Sequence, residues 1–365
     1  KSDNAYLVCL SDTKNQTDAN IKVIKVLSRF GKYKSLIEKA ENKKGLVKIF
    51  YKICYHIYYK YAAKKGLSEV ADHKKQILKI CCKIVKRYEI NRLISSSNPF
   101  ENQIIAHKLI KKFPNIKWFP YLMDSAHNNA VKPIPIALEN RVLEAAKNIL
   151  IMPTLFNDSD FCEEYKHRIK IIDLPIIPVD IKYNKRNDNK IIFIYAGLFY
   201  NDIRNPIILF EIFCLLPKNY ELWLYSNGCK DIVAKYKIIL GERLKIFGIV
   251  AQDELIENIG KCDIVINIGN LVINQVPSKI YDSIAYGKPI LNLYQNNKDI
   301  GLMHLNKYPL CGSFFYKIDD NIVSQITVWC NQNKDKVLSY HDATLNLQEK
   351  TLSNVVGKIR QIIQN

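Results

Sequence analysis

A chain of 365 residues is too long for one ordinary hydrophobic core, which indicates two domains of roughly 150 to 200 residues each. Apolar residues make up 48% of the sequence, and with only 13 Gly and 13 Pro this composition excludes a fibrous or largely disordered protein. The formal net charge of +19, most of it in the first half, indicates an acidic partner: nucleic acid, anionic lipid or a phosphorylated small molecule.

The first half alternates short apolar runs with amphipathic segments. This alternation favours an α/β domain of Rossmann-like, doubly wound type. Strands are predicted at Tyr6–Leu10, Arg92–Ser95, Lys117–Leu122 and Ile149–Met152, and helices at Ile21–Phe30, Gln103–Phe113 and Leu138–Asn148.

Residues 43–65 interleave lysines with aromatic side chains. On a helix this pattern gives an apolar face flanked by cations, which suits the headgroup region of an anionic membrane. The same residue types suit single-stranded nucleic acid, and a solvated face of a core helix is a third interpretation. We expect contact with an anionic membrane surface and no nucleic-acid partner. The aromatic residues are Phe50, Tyr51, Tyr55, Tyr58, Tyr59 and Tyr61.

A proline-containing polar stretch at 176–189 is predicted to be a linker between domains covering 1–175 and 190–344. A final helix, Leu345–Ile363, is expected to pack back on the first domain. The second domain shows regular β-α-β alternation. Its strands are predicted at Ile191–Ala196, Glu221–Tyr225, Leu244–Phe247, Asp263–Ile268 and Pro289–Leu293, and its helices at Pro206–Leu216, Asp231–Leu240, Asp253–Cys262 and Ser278–Tyr286.

In a doubly wound sheet the ligand lies beyond the carboxyl ends of the strands, so the loops after these strands are the candidate site. One loop leads into Pro277-Ser278-Lys279 at a predicted helix start, where free backbone N–H groups, a hydroxyl and a cation could hold a phosphate. Asp282, one turn later, could accept hydrogen bonds from a ribose. A capped helix with a surface Asp would give the same pattern.

This stretch resembles the donor-binding domain of GT-B glycosyltransferases. The resemblance rests on Pro-Ser-Lys, the acidic residue three positions later and the following Gly287-Lys-Pro-Ile290, with Gly248-Ile-Val250 and Asp253-Glu-Leu255 before them. It covers residues 190–300 and implies two Rossmann-like domains that face a cleft. Many members carry two Glu separated by seven residues, and Asn274 and Asp282 stand at those positions here.

The resemblance extends to the strand that ends at Ala196. Gly197 would permit close approach of the backbone to a donor diphosphate, and Arg204 offers a planar fork for phosphate oxygens. In similar proteins the backbone around Gly248 and Val250 holds the base. The expected donor-binding set is Gly197, Arg204, Gly248, Val250, Asn270, Asn274, Gln275, Ser278, Lys279 and Asp282.

Catalytic candidates follow a strand of the first domain. Asp124 and His127 come just after the predicted strand Lys117–Leu122, and Asp124 is the candidate general base for an acceptor hydroxyl. A helix-capping Asp and a structural His are the alternatives. Ser97 and Asn98 follow the strand Arg92–Ser95 and could line the acceptor site.

Asp158-Ser-Asp160 looks like the metal-binding pair of a different glycosyltransferase fold, but its place before a helical segment favours a cap. We therefore expect no metal and no cofactor, which the GT-B resemblance also implies. The leading hypothesis is a metal-independent transferase, of hexosyltransferase type, that moves a sugar from a nucleotide diphosphate, preferably UDP, to a glycan or lipid-linked acceptor.

The expected setting is bacterial surface-polysaccharide synthesis at the cytoplasmic face of the cell membrane. The scattered cysteines, without metal-ligand spacing, fit a reduced compartment. A nucleotide-sugar epimerase of the same fold and a noncatalytic basic membrane- or nucleic-acid-binding protein are the alternatives.

Overall fold

The computed structural model describes residues 5–365 apart from several gaps, and two compact units emerge from its contacts. The first unit is Lys1–Ile172 together with Asn365, and the second is Asp173–Gln364. The gaps are residues 11–20, 27–48, 55, 58–59, 61–68, 98–99, 124–125, 127–133, 157–162, 185 and 272–276.

The first unit contains two parallel sheets among its described residues. Strands β1 and β2 form a pair, and strands β3 to β6 form a four-stranded sheet in sequential order. The strands are β1 Ala5–Leu10, β2 Ile21–Val26, β3 Arg92–Ser96, β4 Lys117–Leu122, β5 Ile149–Ile151 and β6 Ile169–Ile171.

The helix predicted at Ile21–Phe30 is wrong over Ile21–Val26, which forms β2. Four of these six residues are Ile or Val, whose branched side chains fit a pleated strand better than a helix. Each residue of the strand aligns with a residue of β1 in an unbroken parallel register. The extended conformation of Ile21–Val26 is therefore stabilised by pairing with β1, a segment outside the stretch on which the helix prediction was based.

Helices of the first unit cover its sheet strands. Helix α3 ends at Leu143, five residues before the predicted end at Asn148, because the chain turns there to enter β5. Residues 49–54, 56–57 and 60 are also helical. The named helices are α1 Glu69–Tyr88, α2 Glu101–Lys112, α3 Ile136–Leu143 and α4 Pro153–Phe156, with a 3-10 turn at Glu163–Arg168.

The second unit is built on one six-stranded parallel sheet with strand order β12-β11-β10-β7-β8-β9. From the centre of the sheet, β7, β8 and β9 follow one another towards one edge, and β10, β11 and β12 follow one another towards the opposite edge. Strands β7 and β10 are therefore neighbours. The strands are β7 Ile191–Ala196, β8 Tyr220–Tyr225, β9 Leu244–Ile246, β10 Ile264–Ile268, β11 Ile290–Tyr294 and β12 Cys311–Phe315.

Helices cover both faces of this sheet. Phe193 and Tyr195 of β7 pack into one buried apolar cluster, whereas the alternate residues Ile192 and Ile194 pack into another. Opposite burial of successive residues is expected of a strand with a core on each side. The helices are α5 Ile207–Leu215, α6 Lys230–Leu240, α7 Gln252–Lys261, α8 Lys279–Ala285, α9 Ile300–Leu305, α10 Asp320–Asn333, α11 Tyr340–Ala343 and α12 Leu352–Gln364.

The segment predicted to be a linker packs against the second unit. Ile176 is fully buried and Ile181 is 8% exposed. The Tyr183 phenol donates to the Tyr286 carbonyl at 2.9 Å, and Arg186 pairs with Asp263 at 2.7 Å. These contacts make the segment an integral part of that unit, which begins at Asp173.

The chain end differs from the single helix predicted at Leu345–Ile363. A 3-10 helix at Leu345–Lys350 and α12 are separated at Thr351, whose backbone is extended with φ −63° and ψ 147°. The packing of α12 against the first unit stays a prediction.

A buried polar cluster ties the start of the second unit to this final segment. The Asp173 carboxylate accepts hydrogen bonds from the Lys350 ammonium and from the Tyr281 phenol, the latter at 2.9 Å. The His304 ring lies 6.0 Å from the Tyr281 ring. Burial, reinforced by the Lys350 charge, lowers the pKa of His304 to about 4.

The low pKa of His304 makes stability depend on pH. Between pH 6.5 and about 4 the unfolded chain binds a proton at this site that the folded chain does not, so the free energy of unfolding falls as the pH falls. We expect this site to contribute a loss of about 2 to 3 kcal/mol across that range. Urea unfolding at pH 7 and pH 4.5 measures it.

The His304→Gln variant should lose less stability on acidification than the wild type. The exposed His341 provides the control, and His341→Gln should retain the wild-type pH dependence. Equal pH slopes for the wild type and His304→Gln would contradict the assignment.

Candidate functional site

A pocket of about 330 Å³ opens at the carboxyl edge of the six-stranded sheet, entirely within the second unit. Its walls come from the segments that follow β7, β8 and β9 and from the turn that begins α8. Ligands of doubly wound sheets bind at this edge, near the point where the strand order reverses. Six of the residues predicted from the sequence line the pocket: Gly197, Arg204, Gly248, Val250, Ser278 and Lys279.

Two cations from separate elements reach this pocket. The Arg204 guanidinium lies 5.6 Å from the Tyr200 ring centre, and its buried Nε has no hydrogen-bond partner among the described residues. The Lys279 ammonium is half-exposed and lies 3.2 Å from Oδ2 of Asp282. Buried polar atoms are usually paired, so the unpaired Nε together with two converging cations favours an anionic ligand.

Tyr195 remains a neutral neighbour of Arg204. Burial raises the pKa of its phenol to about 12, against the opposing effect of the Arg204 charge. The phenol donates to the Leu198 carbonyl at 3.3 Å and its ring stacks on Phe199 at 4.5 Å. These contacts fix the loop that follows β7.

Glycine is required at two positions of the pocket, Gly197 and Gly248, for different structural reasons. A Cβ on Gly197 would lie 3.1 Å from the Tyr195 phenol oxygen, so a side chain there would press on the loop. Gly248 has φ +74° with open space around it, so it is required for its backbone conformation and not for lack of room.

The side of the pocket next to β8 and β9 is apolar and aromatic. The Tyr225 ring stacks on Phe247 with centroids 4.6 Å apart and planes within 5° of parallel. Tyr225, Val250 and Leu255 all line the pocket. A pocket with cations at one end and an apolar, aromatic-walled surface at the other fits a ligand that joins a phosphate to a planar ring.

Two described members of the predicted donor set, Asp282 and Asn270, do not line the pocket. Asp282 lies on the surface of α8, where its carboxylate accepts from Lys279 at 3.2 Å. Asn270 is 1% exposed at the carboxyl end of β10. Asn274 and Gln275 lie outside the described residues.

In the first unit, Ser97 supports the backbone beside the catalytic candidates. Its hydroxyl accepts from the Met123 N–H at 2.8 Å, and the residue is only 5% exposed. Glu139 of α3, which the sequence analysis missed, is 2% exposed and accepts from the Ala126 N–H at 3.3 Å. Both contacts hold the chain on either side of residues 124–125. The predicted site residues Asp124, His127 and Asn98 themselves lie outside the described residues.

Pocket residues that the sequence analysis missed carry weak local signals. Tyr200, Tyr225, Asn227 and Leu255 line the pocket, but single aromatic or amide residues after strands occur in many loops. Only the position of Tyr225, as the last residue of β8, could have indicated a place in the pocket, because ligands of such sheets bind beyond the carboxyl ends of the strands.

Over the described ranges, no three His, Cys, Asp or Glu side chains are grouped so that they could hold a metal ion. Asp158 and Asp160 fall outside those ranges. Metal independence stays a prediction.

Comparison with solved structures shows the GT-B fold across both units. The chain is similar to Anabaena HepE in complex with UDP and glucose, with 12% identity, a TM-score of 0.59 and coverage of 99% of this chain and 100% of that one. It is also similar to the N-terminal domain of Candida albicans trehalose-6-phosphate phosphatase, with 11% identity, a TM-score of 0.60 and coverage of 98% and 89%.

A third similar structure is the apo form of the lipopolysaccharide outer core galactosyltransferase WaaB, with 13% identity, a TM-score of 0.52 and coverage of 80% of each chain. No protein-family model matches the chain, and no curated protein matches its sequence. The predicted fold class, two Rossmann-like α/β domains of GT-B type, is thus confirmed.

Gly248 provides a test of the pocket backbone. A side chain at its left-handed φ should cost about 1 to 2 kcal/mol, so Gly248→Ala should lower the free energy of unfolding by about that amount. Gly248→Asn should cost less, because Asn tolerates this conformation.

Gly357 is the matched control within α12, where an added Cβ meets nothing within 4 Å. Gly357→Ala should raise the free energy of unfolding by about 0.5 to 1 kcal/mol. Urea denaturation measures both variants, and a stabilising effect of Gly248→Ala would contradict the described conformation.

Proposed function

We propose that the protein is a glycosyltransferase that transfers a sugar from a nucleotide diphosphate sugar, with UDP as the favoured nucleotide, to a hydroxyl of a glycan or lipid-linked acceptor. The observation that carries the proposal is the pocket of the second unit, where cations and an apolar, aromatic-walled surface converge at the ligand edge of a GT-B fold. The described likeness to a structure that holds UDP and glucose supports the same assignment.

The nucleotide lies with its base against the Tyr225 and Val250 end and its diphosphate towards Arg204 and Lys279. The bond between the sugar and the diphosphate breaks as the acceptor oxygen attacks the sugar carbon, and negative charge grows on the leaving diphosphate. Arg204 and Lys279 neutralise this charge, and Ser278 donates a hydroxyl hydrogen bond. No metal is needed for that step in this proposal.

Asp124 accepts the proton that the acceptor hydroxyl loses, and His127 is the second candidate for this role. Ser97 and Glu139 hold the backbone of the segment between β4 and α3, at Met123 and Ala126 respectively. Positioning of the acceptor against the donor supplies the remaining rate enhancement.

Thermal unfolding against UDP, GDP, CDP and ADP tests the donor site. One nucleoside diphosphate should raise the melting temperature by mass action, both with magnesium and with EDTA. Arg204→Gln and Lys279→Gln should each weaken its affinity about tenfold, because each removes one charge-assisted phosphate contact.

The exposed Arg360 of α12 is the matched control, and Arg360→Gln should bind as the wild type does. Loss of the shift in EDTA would overturn metal independence alone. A wild-type protein that responds to no nucleotide would overturn the transferase proposal. Conversion of a UDP-sugar to its epimer without an acceptor would favour the epimerase alternative.

We also propose that the first unit binds an anionic membrane surface, in keeping with assembly of surface polysaccharide at the inner face of a bacterial membrane. The helical residues 49–54 and 56–57 carry exposed apolar side chains: Ile49, Phe50, Ile53 and Ile57 are 52% to 62% exposed. Their spacing places them along one helix face. In the described part of the chain, no helix has the length and apolarity to cross a bilayer.

Helix α1 supplies the charge for the same contact. Lys75, Lys79, Lys83 and Lys86 are exposed and recur every three or four residues, which aligns them, with the adjacent exposed Arg87, along one side of the helix. The opposite face is buried through Ile84 and Val85. Exposed apolar residues together with aligned cations favour an anionic bilayer over a soluble polyanion.

Co-sedimentation with phosphatidylglycerol and phosphatidylcholine vesicles tests this surface. The wild type should bind only the anionic vesicles, and binding should fall at high salt. Phe50→Ser with Ile53→Ser should reduce binding at least about tenfold, because it removes apolar side chains that would enter the bilayer surface. Separately, Lys75, Lys79 and Lys83→Gln together should reduce binding about a hundredfold, since each cation contributes about 1 kcal/mol.

The second unit offers matched controls for both changes. Ile238 and Val328 are exposed apolar residues, and Lys218, Lys230 and Lys358 are exposed cations. Their Ser and Gln variants should bind vesicles normally. Equal losses in both units would indicate nonspecific attraction and contradict the proposed surface.

A further inference from the structure

We infer that Gln295 is a positioning residue for the phosphate end of the donor pocket, an inference that rests on the proposed function. Gln295 does not line the pocket and carries no sequence motif. It follows β11, on the loop that leads to α9. Its importance comes from the two backbone groups that its side chain joins.

The Gln295 amide bridges the loops after the two central strands of the sheet. Its Nε2 donates to the Ile203 carbonyl at 2.8 Å and to the Gly269 carbonyl at 2.6 Å. Ile203 lies in the loop after β7 and Gly269 follows β10. Both hydrogens of one amide nitrogen are therefore used to hold together two loops that leave the sheet where its strand order reverses.

The bridge acts directly beside Arg204. Ile203 precedes Arg204, and the Ile203 carbonyl also accepts from the Leu271 N–H at 3.3 Å. The Arg204 backbone pairs with Tyr200 through hydrogen bonds of 3.1 and 3.2 Å in both directions. Gln295 thus fixes one end of the short Tyr200–Arg204 turn, and Arg204 lines the pocket.

Asp299 contacts the segment after β10, which is one of the two loops that the Gln295 amide joins. It is 1% exposed, and its carboxylate accepts from the Gly301 N–H at 2.8 Å. A hydrogen bond from the Asn270 backbone opposes the rise in the pKa of Asp299 that burial causes. A Cβ on Gly269 would lie 2.7 Å from Oδ2 of Asp299 and 3.3 Å from the Tyr294 Cα, so this segment has no room for a side chain there.

The chemical consequence is specific to the phosphate end. The base end of the pocket is formed by Tyr225, Val250 and Leu255, whereas the Gln295 amide donates to Ile203 and Gly269. Loss of the bridge should displace Arg204 and leave the base end intact. A ligand with a second phosphate should then lose affinity, whereas a nucleoside monophosphate should not.

Calorimetric binding of UDP and UMP to Gln295→Glu and Gln295→Met tests this inference; the GDP and GMP pair replaces them if the nucleotide panel selects guanine. A carboxylate at 295 faces two carbonyl oxygens without hydrogens to donate, and Met keeps the length without the amide. In both variants UDP affinity should fall about tenfold while UMP affinity stays within about twofold. Arg204→Gln should reproduce this selective loss.

Gln332→Glu, an exposed change of the same type on α10, is the control and should bind both nucleotides normally. Equal losses of UDP and UMP in the Gln295 variants would show general damage to the pocket and overturn the inference, as would unchanged UDP binding. A wild-type protein that binds no nucleotide overturns the proposed function and this inference with it, whereas a failure confined to Gln295 leaves the proposed function standing.

Discussion

The parallel pairing of β7 with β10 is the constraint on which the functional site depends. Val265 aligns with Ile194 at the centre of the sheet, yet the chain reaches β8 on one side of this pair and β11 on the other. Connections that leave in opposite directions cannot fill the space above the pair, so a crevice remains at the carboxyl edge. The pocket, the Arg204 turn and the Gln295 bridge all lie around that opening.

Much of the second unit was predictable because its strands and helices carry strong local signals. Buried runs such as Ile191–Ala196 read as strands without tertiary information, and their alternation with helices implied the sheet. The first unit was harder: β2 was assigned to a helix because Ile21–Val26 derives its conformation from β1, which no local pattern reveals. Likewise, β12 and α10 were not assigned, although both are regular elements of the sheet domain.

The residues of the candidate site differ in the same way: some were predictable from local sequence patterns, and others depend on contacts with distant parts of the chain. Gly197, Arg204 and Lys279 were predictable because each follows a recognisable strand or begins a recognisable helix. The contacts of Gln295, Glu139 and Tyr225 are made with residues distant in the sequence. A single amide, acid or aromatic residue in a loop or helix gives no local pattern that predicts such contacts. Sequence reasoning found some of the residues that line the pocket and missed others, such as Tyr225, as well as the side chains that hold the loops in place.

The start of the second unit at Asp173 has a consequence for how this chain could evolve. Every residue that lines the pocket, together with the segment that carries the buried Ile176 and Ile181, belongs to one uninterrupted stretch of polypeptide. A single recombination near codon 173 would exchange that whole pocket while leaving the basic first half untouched. The pocket and the basic first unit can therefore be exchanged separately at a single position of the chain.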